Sequence, residues 1–252
     1  MSKVNIPVLV VLYNPDINCI KRIESLKSAV DFYIFDNSSL ENIIVDVVYY
    51  KSQSNEGLSG AILWMYQECV RSEHKSFLFF DQDTIFSFES LEYINSHFFN
   101  MNSFDLISHY SSEQKHRGLV EFVINSGTIY PLKILEKCLI NLKKYYVDCV
   151  DLTICLTAKQ NNFQIISNWA PGIDHFSDQG YYEINFGIFK IKLKYYQTSR
   201  IKEFYKAHFR LIYDSIFIYK SIPDTMQIFK FLIEFSRGQF LARLFRNNLS
   251  NK

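Results

Sequence analysis

Paired cysteines and long apolar runs are what this sequence lacks. The chain has 252 residues and five cysteines, and no two of the cysteines form a C-x-x-C pair. An odd number of cysteines without that spacing argues against a disulfide framework or a zinc ribbon, so we expect a protein of the reducing cytoplasm. The apolar run at residues 7–12 is too short for a signal peptide. No segment approaches the ~18 uninterrupted apolar residues of a membrane span, so we expect a protein that does not cross a membrane.

The balance of apolar and charged residues favours one packed domain, or one domain with a small appendage. Apolar residues make up 48% of the chain and charged residues 21%. The net charge is only +1, but residues 190–252 hold 13 Lys and Arg against 4 Asp and Glu, which gives +9. The first 189 residues therefore carry −8. This split predicts an acidic, metal-binding front and a basic tail that faces an anionic partner.

Strand and helix patterns alternate through the first third of the chain. A strand, a helix and a second strand are predicted over residues 8–16, 17–30 and 31–39. Residues 47–72 then pass from a third strand through a Gly-containing turn into a helix, and residues 75–83 form a fourth strand. This alternation predicts an α/β layered domain with a mostly parallel sheet. Ligands of such sheets bind beyond the carboxyl ends of the strands. Tyr13, Asp36, Asn55 and Asp81 are all expected at such ends.

Two carboxylates one residue apart follow the fourth strand, in "SFLFFDQDTIF" (76–86). Asp81 and Asp83 would repel each other unless a cation lay between them. Oxygen ligands suit Mg²⁺ or Mn²⁺, which can bridge the phosphates of a substrate. An Asp-rich turn without a metal would give the same pattern. An EF-hand is excluded, because Phe86 stands where that loop needs glycine.

Four weaker patterns accompany this pair. Asp36, in "YIFDNSS", fits either a nucleobase or ribose acceptor or a carboxylate that caps its own loop. In "SNEGLSGAI", Asn55 comes at the start of a helix, where free N–H groups favour anions. In "YYVDCVDLTICL", Asp151 is expected at the N-terminal end of a helix, three residues after Asp148. Asp151 could deprotonate a hydroxyl or could be an N-cap carboxylate. His175, in "PGIDHF", fits a structural histidine or a ligand.

The order of these motifs resembles the family-2 glycosyltransferases of the GT-A fold. The series is "VVLYNPD", "FDNSS", "NEGLSGAI", "FLFFDQDT", "NSGTIYPLKIL", "VDCVDLTICLTAKQNNFQI" and "DHF…YYQTSR", over roughly residues 4–210. Within that family the chain looks most like bacterial rhamnosyltransferases, whose metal motif commonly reads D-Q-D and is followed by N-S-G. The resemblance implies a Rossmann-like mixed, mostly parallel sheet flanked by helices.

The resemblance also implies a role for each candidate residue. Asp36 would hold the nucleobase, with Tyr13 and Asn55 near the nucleotide. Asp83, assisted by Asp81, would bind Mg²⁺ or Mn²⁺ on the diphosphate of the donor. The remaining matches are Asp151 with the catalytic base, His175 with a histidine near the metal, and Arg200 with a basic residue near the phosphates.

The implied activity is inverting, metal-dependent transfer of a sugar onto a lipid-diphosphate-linked intermediate of a surface polysaccharide such as an O-antigen. The donor most in keeping with the resemblance is dTDP-L-rhamnose, and a UDP-hexose is the second possible donor. The same residues would also fit a metal-dependent phosphoesterase or a non-catalytic nucleotide-sugar-binding protein. No nucleic-acid partner is expected.

The last part of the chain is expected to be a helical, basic extension. We place the catalytic domain at residues 1–190 and the extension at 191–252, with a helix break at Pro223. The segment from Met226 to Asn248 mixes Phe, Leu and Ile with Lys and Arg. Such a helix can lie on an anionic membrane surface, here the cytoplasmic face of the inner membrane, or can pack on the catalytic domain.

Overall fold

The computed structural model describes residues 4–42, 44–98, 105–110, 118–175, 181–186 and 189–244. The chain divides into two compact units, residues 1–175 and 176–252. The boundary predicted between residues 190 and 191 lies inside the second unit, because a β-hairpin that begins before residue 190 belongs with the C-terminal helices.

The first unit alternates strands and helices along the chain. Its strands are β1 (Val4–Leu12), β2 (Val30–Asp36), β3 (Val48–Lys51), β4 (Ser76–Asp81), β5 (Thr84–Ile85), β6 (Leu106–Tyr110), β7 (Gly118–Leu119), β8 (Thr128–Pro131), β9 (Ile165–Trp169) and β10 (Asp174–His175). Its helices are α1 (Ile17–Leu26), α2 (Gly57–Arg71), α3 (Phe88–Phe98), α4 (Leu132–Leu142) and α5 (Val150–Gln160).

In the described part of the chain, eight of these strands form one mixed sheet in the order β3-β2-β1-β4-β8-β6-β9-β7. Strands β1 to β4 pair in parallel, and so do β6 and β9. Strand β8 runs antiparallel to both of its neighbours, and β7 runs antiparallel to β9. The predicted α/β fold class, a mixed sheet flanked by helices, is confirmed.

Helices cover both faces of the parallel half, which explains why its strands are apolar at nearly every position. Val8 and Val10 of β1 face a core that also contains Ile23 of α1 and Leu91 of α3. On the opposite face, the Phe35 ring of β2 lies 5.6 Å from the ring of Trp64 in α2. With both faces buried, the carboxyl ends of the strands are where polar side chains can gather.

The second unit contains a hairpin and two helices, which are β11 (Tyr181–Phe186), β12 (Phe189–Lys194), α6 (Thr198–Phe217) and α7 (Ile222–Leu244). The predicted helical segment thus begins with a strand, and Pro223 lies in the first turn of α7, where a missing N–H costs nothing. Helices α6 and α7 pack through aromatic rings, with Phe204 and Phe235 stacked at 3.7 Å between centroids. None of the helices in the described ranges is long and apolar enough to cross a membrane.

Candidate active site

The D-Q-D motif lies at the carboxyl end of β4 and turns directly into β5. Asp81 is the last residue of β4 and pairs with Val11 of β1, one residue before the end of that strand. The Asp81 N–H donates to the hydroxyl of Ser126 at 3.1 Å, and that hydroxyl lies 2.5 Å from the hydroxyl of Thr84. The N-S-G segment, which includes Ser126 and precedes the neighbouring strand β8, therefore holds the D-Q-D turn.

The pKa of the Asp81 carboxyl is raised, as expected where several carboxylates lie close together. Burial raises the pKa of its carboxyl to about 7, and the charges of Asp83 and Asp151 act in the same direction. Asp83 is its neighbour in sequence, but Asp151 comes from α5. The fold thus brings Asp151 close enough to Asp81 for its charge to act on that carboxyl.

Asp151 lies in the first turn of α5, at the helical end that the spacing predicted. The N-cap is Cys149, which has a left-handed backbone with φ +67°, so the interpretation of Asp151 as the N-cap residue is wrong. Burial raises the pKa of the Asp151 carboxyl to about 6, although the Leu152 N–H donates to it at 2.8 Å. Asp148 precedes the helix rather than sharing its face, and its charge also acts to raise the pKa of Asp151.

Asp36 lies at the end of β2 and is completely buried. Its Oδ1 accepts from the Ser38 N–H at 2.8 Å, and its Oδ2 accepts from the Tyr49 hydroxyl at 2.6 Å. Both the N–H and the side-chain amide of Asn42 also donate to Oδ2, at 3.1 and 3.0 Å. Burial alone would raise the pKa of Asp36, but these donors outweigh it and lower the pKa. The structure therefore shows a carboxylate that organises its own loop, and the nucleobase role stays a prediction.

The backbone N–H groups at the start of α2 are already hydrogen-bonded within the protein, so the prediction that they are free is wrong. The N–H groups of Leu58 and Ser59 donate to the carbonyl of Tyr146 at 2.8 and 3.2 Å. The Gly57 N–H donates to Asn55 Oδ1 at 3.0 Å, and the Tyr146 hydroxyl donates to the Asn55 carbonyl at 2.9 Å. A Cβ on Gly57, whose φ is +68°, would lie 2.4 Å from the Tyr146 carbonyl oxygen, so glycine is required here. Asn55 thus shapes the loop, and its nearness to a nucleotide stays a prediction.

Gln82, the middle residue of D-Q-D, has a role that was missed from the sequence. Its amide oxygen accepts from the Tyr13 N–H at 2.7 Å, and its amide nitrogen donates to the Tyr13 carbonyl at 3.1 Å. This two-point contact, which we call the Gln82 clamp, fixes the D-Q-D turn to the end of β1. The clamp leaves Tyr13 54% exposed beside the acidic site. The only hint of this contact in the sequence is that an amide side chain, Gln82, stands between the two aspartates proposed to bind a metal.

His175 and Arg200 lie in different units. The backbone of His175 pairs with Thr84 in the β10–β5 ladder, directly after the D-Q-D turn. Arg200 is an exposed residue in the first turn of α6, in the second unit. The pairing brings residue 175 beside the acidic site, whereas the nearness of Arg200 to a phosphate stays a prediction.

The carboxylates of D-Q-D offer the oxygen donors that Mg²⁺ and Mn²⁺ prefer. Within the described residues, no group of three or more His, Cys, Asp or Glu side chains gathers closely enough to hold a metal by itself. The Asp81 carboxyl, whose pKa is raised by burial and by the charge of Asp83, fits such a cation, because a bound cation would offset the repulsion between the two carboxylates.

Comparison with known proteins gives matches in structure but not in sequence. No protein-family model matches the chain, and no curated protein sequence matches it. A crystal structure of TarS from S. aureus matches with a TM-score of 0.57 and 15% identity, over 95% of this chain and 44% of TarS. A second structure, TarS 1–349 in complex with UDP-GlcNAc, matches with a TM-score of 0.53 and 15% identity, over 98% of this chain and 73% of that one. This chain thus spans less than half of the first TarS structure, and the likeness establishes the fold alone.

Proposed function

We propose that this chain is an inverting, metal-dependent glycosyltransferase that takes its sugar from a nucleotide donor. The observation that carries the proposal is that Asp151, in the first turn of α5, lies close enough to Asp81 at the end of β4 for its charge to act on that carboxyl. The fold supports it, because the chain is similar in fold to TarS, a glycosyltransferase with a structure in complex with UDP-GlcNAc.

Mg²⁺ or Mn²⁺ would be held by Asp83 and Asp81, and the resemblance to family-2 glycosyltransferases adds His175. When bound, such an ion supplies positive charge that neutralises the leaving diphosphate. Hydrogen bonds within the protein hold the backbone around Asp81 in place. The Gln82 clamp and the Ser126 hydroxyl fix the backbone on either side of Asp81.

Asp151 would act as the general base. In the transfer step, the oxygen of the acceptor hydroxyl forms a bond to the anomeric carbon of the donor. The bond from that carbon to the diphosphate oxygen breaks, and the electron pair leaves with the nucleoside diphosphate. The hydroxyl proton moves to the Asp151 carboxylate. A pKa of about 6 leaves Asp151 mostly ionised at neutral pH, yet more basic than an ordinary aspartate.

The donor and acceptor follow from the family resemblance. We propose L-rhamnose from dTDP-L-rhamnose as the sugar and a lipid-diphosphate-linked intermediate of a surface polysaccharide as the acceptor. A UDP-hexose is the second candidate donor.

Two variants test these roles. Asp151→Asn removes the base but keeps the shape, so we expect donor binding to persist while turnover falls at least about a hundred-fold. Asp83→Ala should abolish the part of nucleotide-diphosphate binding that depends on Mn²⁺. Asp46→Asn is the control, because Asp46 is a strongly exposed loop carboxylate, and this variant should behave as wild type.

Turnover and binding are measured separately, by release of nucleoside diphosphate and by calorimetric titration. Full turnover in Asp151→Asn would refute the assigned base. Metal-dependent cleavage of the donor at the same rate with and without an acceptor would favour a phosphoesterase. Tight donor binding without any cleavage would favour the non-catalytic binding protein.

A further inference from the structure

Helix α7 has an apolar stripe that faces away from its partner helix. Six large apolar residues recur at spacings of three, four and seven positions, which places them along one side of the helix. All six are 52–68% exposed, and they are Ile222, Met226, Phe229, Ile233, Phe240 and Leu244. We call this set the outward stripe. In a globular protein the outward face of a surface helix is ordinarily the polar one.

The inward face of α7 is, by contrast, partly polar. Ile228 and Leu232 are buried there, but so are Asp224 and Gln239. Asp224 accepts from the Ser221 hydroxyl at 2.6 Å, and the Gln239 amide donates to the Lys194 carbonyl at 2.7 Å. The polar groups are therefore satisfied within the unit. These contacts fix which face of α7 points inward. The outward stripe is therefore exposed while α6 and α7 are packed together.

Helix α6 adds apolar surface of the same kind. Phe209, Tyr213, Ile216 and Phe217 lie in its C-terminal half and are 38–61% exposed. The outward stripe runs along most of α7, which is about 35 Å long. A row of six exposed large apolar side chains on one helix face is uncommon on a protein that has no partner.

The charges on the same two helices are strongly one-sided. Seven basic residues of α6 and α7 are exposed, and they are Arg200, Lys202, Lys206, Arg210, Lys230, Arg237 and Arg243. Of the four acidic residues, Asp214 and Asp224 are buried, which leaves only Glu203 and Glu234 exposed. Arg237 lies within the outward stripe itself, between Ile233 and Phe240. Lys230 and Arg237 of α7 therefore place positive charge beside the outward stripe.

We propose that the α6–α7 hairpin docks on an anionic lipid surface through the outward stripe, with its basic side chains at the level of the headgroups. Apolar side chains beside Lys and Arg fit a bilayer interface that carries negative headgroups. A second copy of this chain fits less well, because two faces of the same positive charge would repel each other. The proposal is independent of the transfer reaction, since lipid binding is measured on the protein alone.

The experiment mixes the full-length protein with vesicles and measures the bound fraction by sedimentation. One vesicle set contains phosphatidylcholine only, and the other contains phosphatidylcholine and phosphatidylglycerol. We expect binding to the anionic set, weakened by salt because screening reduces the attraction of exposed charges. The double variant Lys230→Gln/Arg237→Gln should bind about 30-fold more weakly, at about 1 kcal/mol for each charge removed.

Ile233→Ser should weaken binding to anionic vesicles about ten-fold, because it removes an apolar side chain from the docked face. The matched control is Ile140→Ser, since Ile140 is 81% exposed on α4 in the first unit and should not affect binding. Phe229→Ser serves as a second stripe variant, and circular dichroism confirms that each variant is folded.

Three outcomes would overturn the proposal. The first is the absence of sedimentation with anionic vesicles, and the second is equal loss of binding in Ile140→Ser and Ile233→Ser. The third is a dimer in analytical ultracentrifugation that Ile233→Ser dissociates while vesicles bind no protein. The third result would assign the outward stripe to a second copy of the chain.

Discussion

Removing the Tyr49 hydroxyl tests how the carboxyl end of β2 is built. In Tyr49→Phe the buried Asp36 carboxylate loses a donor at 2.6 Å, while the Ser38 and Asn42 donors remain. Phenylalanine keeps the ring and its packing, so the variant removes the hydrogen bond to the charged Asp36 and a longer one, 3.2 Å, that the hydroxyl accepts from the Asn42 N–H. The Asn42 N–H keeps Asp36 Oδ2 as an acceptor, so the loss of the donor to Asp36 dominates. A hydrogen bond of this kind contributes about 1.5–3 kcal/mol to stability. We therefore expect the free energy of unfolding to fall by about 2 kcal/mol at pH 7.

The stability lost in Tyr49→Phe should also depend on pH, in a direction that follows from the pKa of Asp36. The donors lower the pKa of Asp36 in the folded protein, against the effect of burial. A carboxyl with a lowered folded pKa contributes stability above its unfolded pKa, and that contribution is lost as the pH falls through the folded pKa. Without the Tyr49 hydroxyl the folded pKa of Asp36 rises, so the variant should lose stability at a higher pH than wild type. The difference between the two proteins should be largest at neutral pH and smaller below about pH 4.

Urea unfolding at pH 7 and at about pH 3.5 measures both effects. The control is Tyr50→Phe, because Tyr50 lies in the same strand and its ring stacks on Trp64 at 5.6 Å between centroids. That variant should change the free energy of unfolding by less than about 0.5 kcal/mol. The stabilising role of the Tyr49 hydroxyl is refuted if Tyr49→Phe and Tyr50→Phe cost the same at pH 7, or if the cost of Tyr49→Phe grows in acid.

Three further predictions concern single residues of the candidate site and a helix. Gln82→Met removes both hydrogen bonds of the Gln82 clamp, so urea unfolding should show a loss of about 1–2 kcal/mol; an unchanged midpoint would contradict the clamp. Gly57→Ala should cost more than about 2 kcal/mol, since its Cβ meets the Tyr146 carbonyl in a left-handed backbone, whereas Gly238→Ala in open space should add about 0.5–1 kcal/mol. Because the pKa of Asp151 is raised to about 6, kcat/KM should fall about ten-fold per pH unit below that value, and a flat profile from about pH 5 to 8 would exclude Asp151 as the base.

Much of the parallel half of the sheet was predictable because its signals are local. Apolar runs that end in Asn-Pro, Asp-Asn or Asp-Gln mark where strands β1, β2 and β4 end. Parallel pairing then places Asp36 and Asp81 at the same edge without any knowledge of side-chain contacts. The position of Asp151 in a first helical turn was equally local.

What could not be predicted depends on contacts between distant segments. The Tyr146 hydroxyl reaches the Asn55 carbonyl across 91 positions of sequence. No local pattern indicates that the Tyr146 backbone, rather than a ligand, occupies the amide groups at the start of α2. Likewise, the donors around Asp36 decide whether that carboxylate organises a loop, and spacing alone left both interpretations open.

Helix α7 shows another limit of local patterns. Its mixture of apolar and basic residues left two interpretations open, a helix on a membrane surface and a helix packed on the catalytic domain. The structure buries Asp224 and Gln239, because Ser221 and Lys194 supply partners for them. Satisfied polar groups can lie inside, and the apolar residues then remain outside.

One measurement tests the proposed transfer reaction most directly. The purified protein is incubated with Mn²⁺, a lipid-diphosphate-linked acceptor and a panel of sugar nucleotides that includes dTDP-L-rhamnose and UDP-hexoses, and the loss of each donor is followed by chromatography with and without the acceptor. We predict that one sugar nucleotide is consumed, that a chelator stops its consumption, and that Asp151→Asn consumes none of it. If no sugar nucleotide is consumed with any acceptor tried, or if Asp151→Asn consumes it at the wild-type rate, the proposed transfer reaction is contradicted.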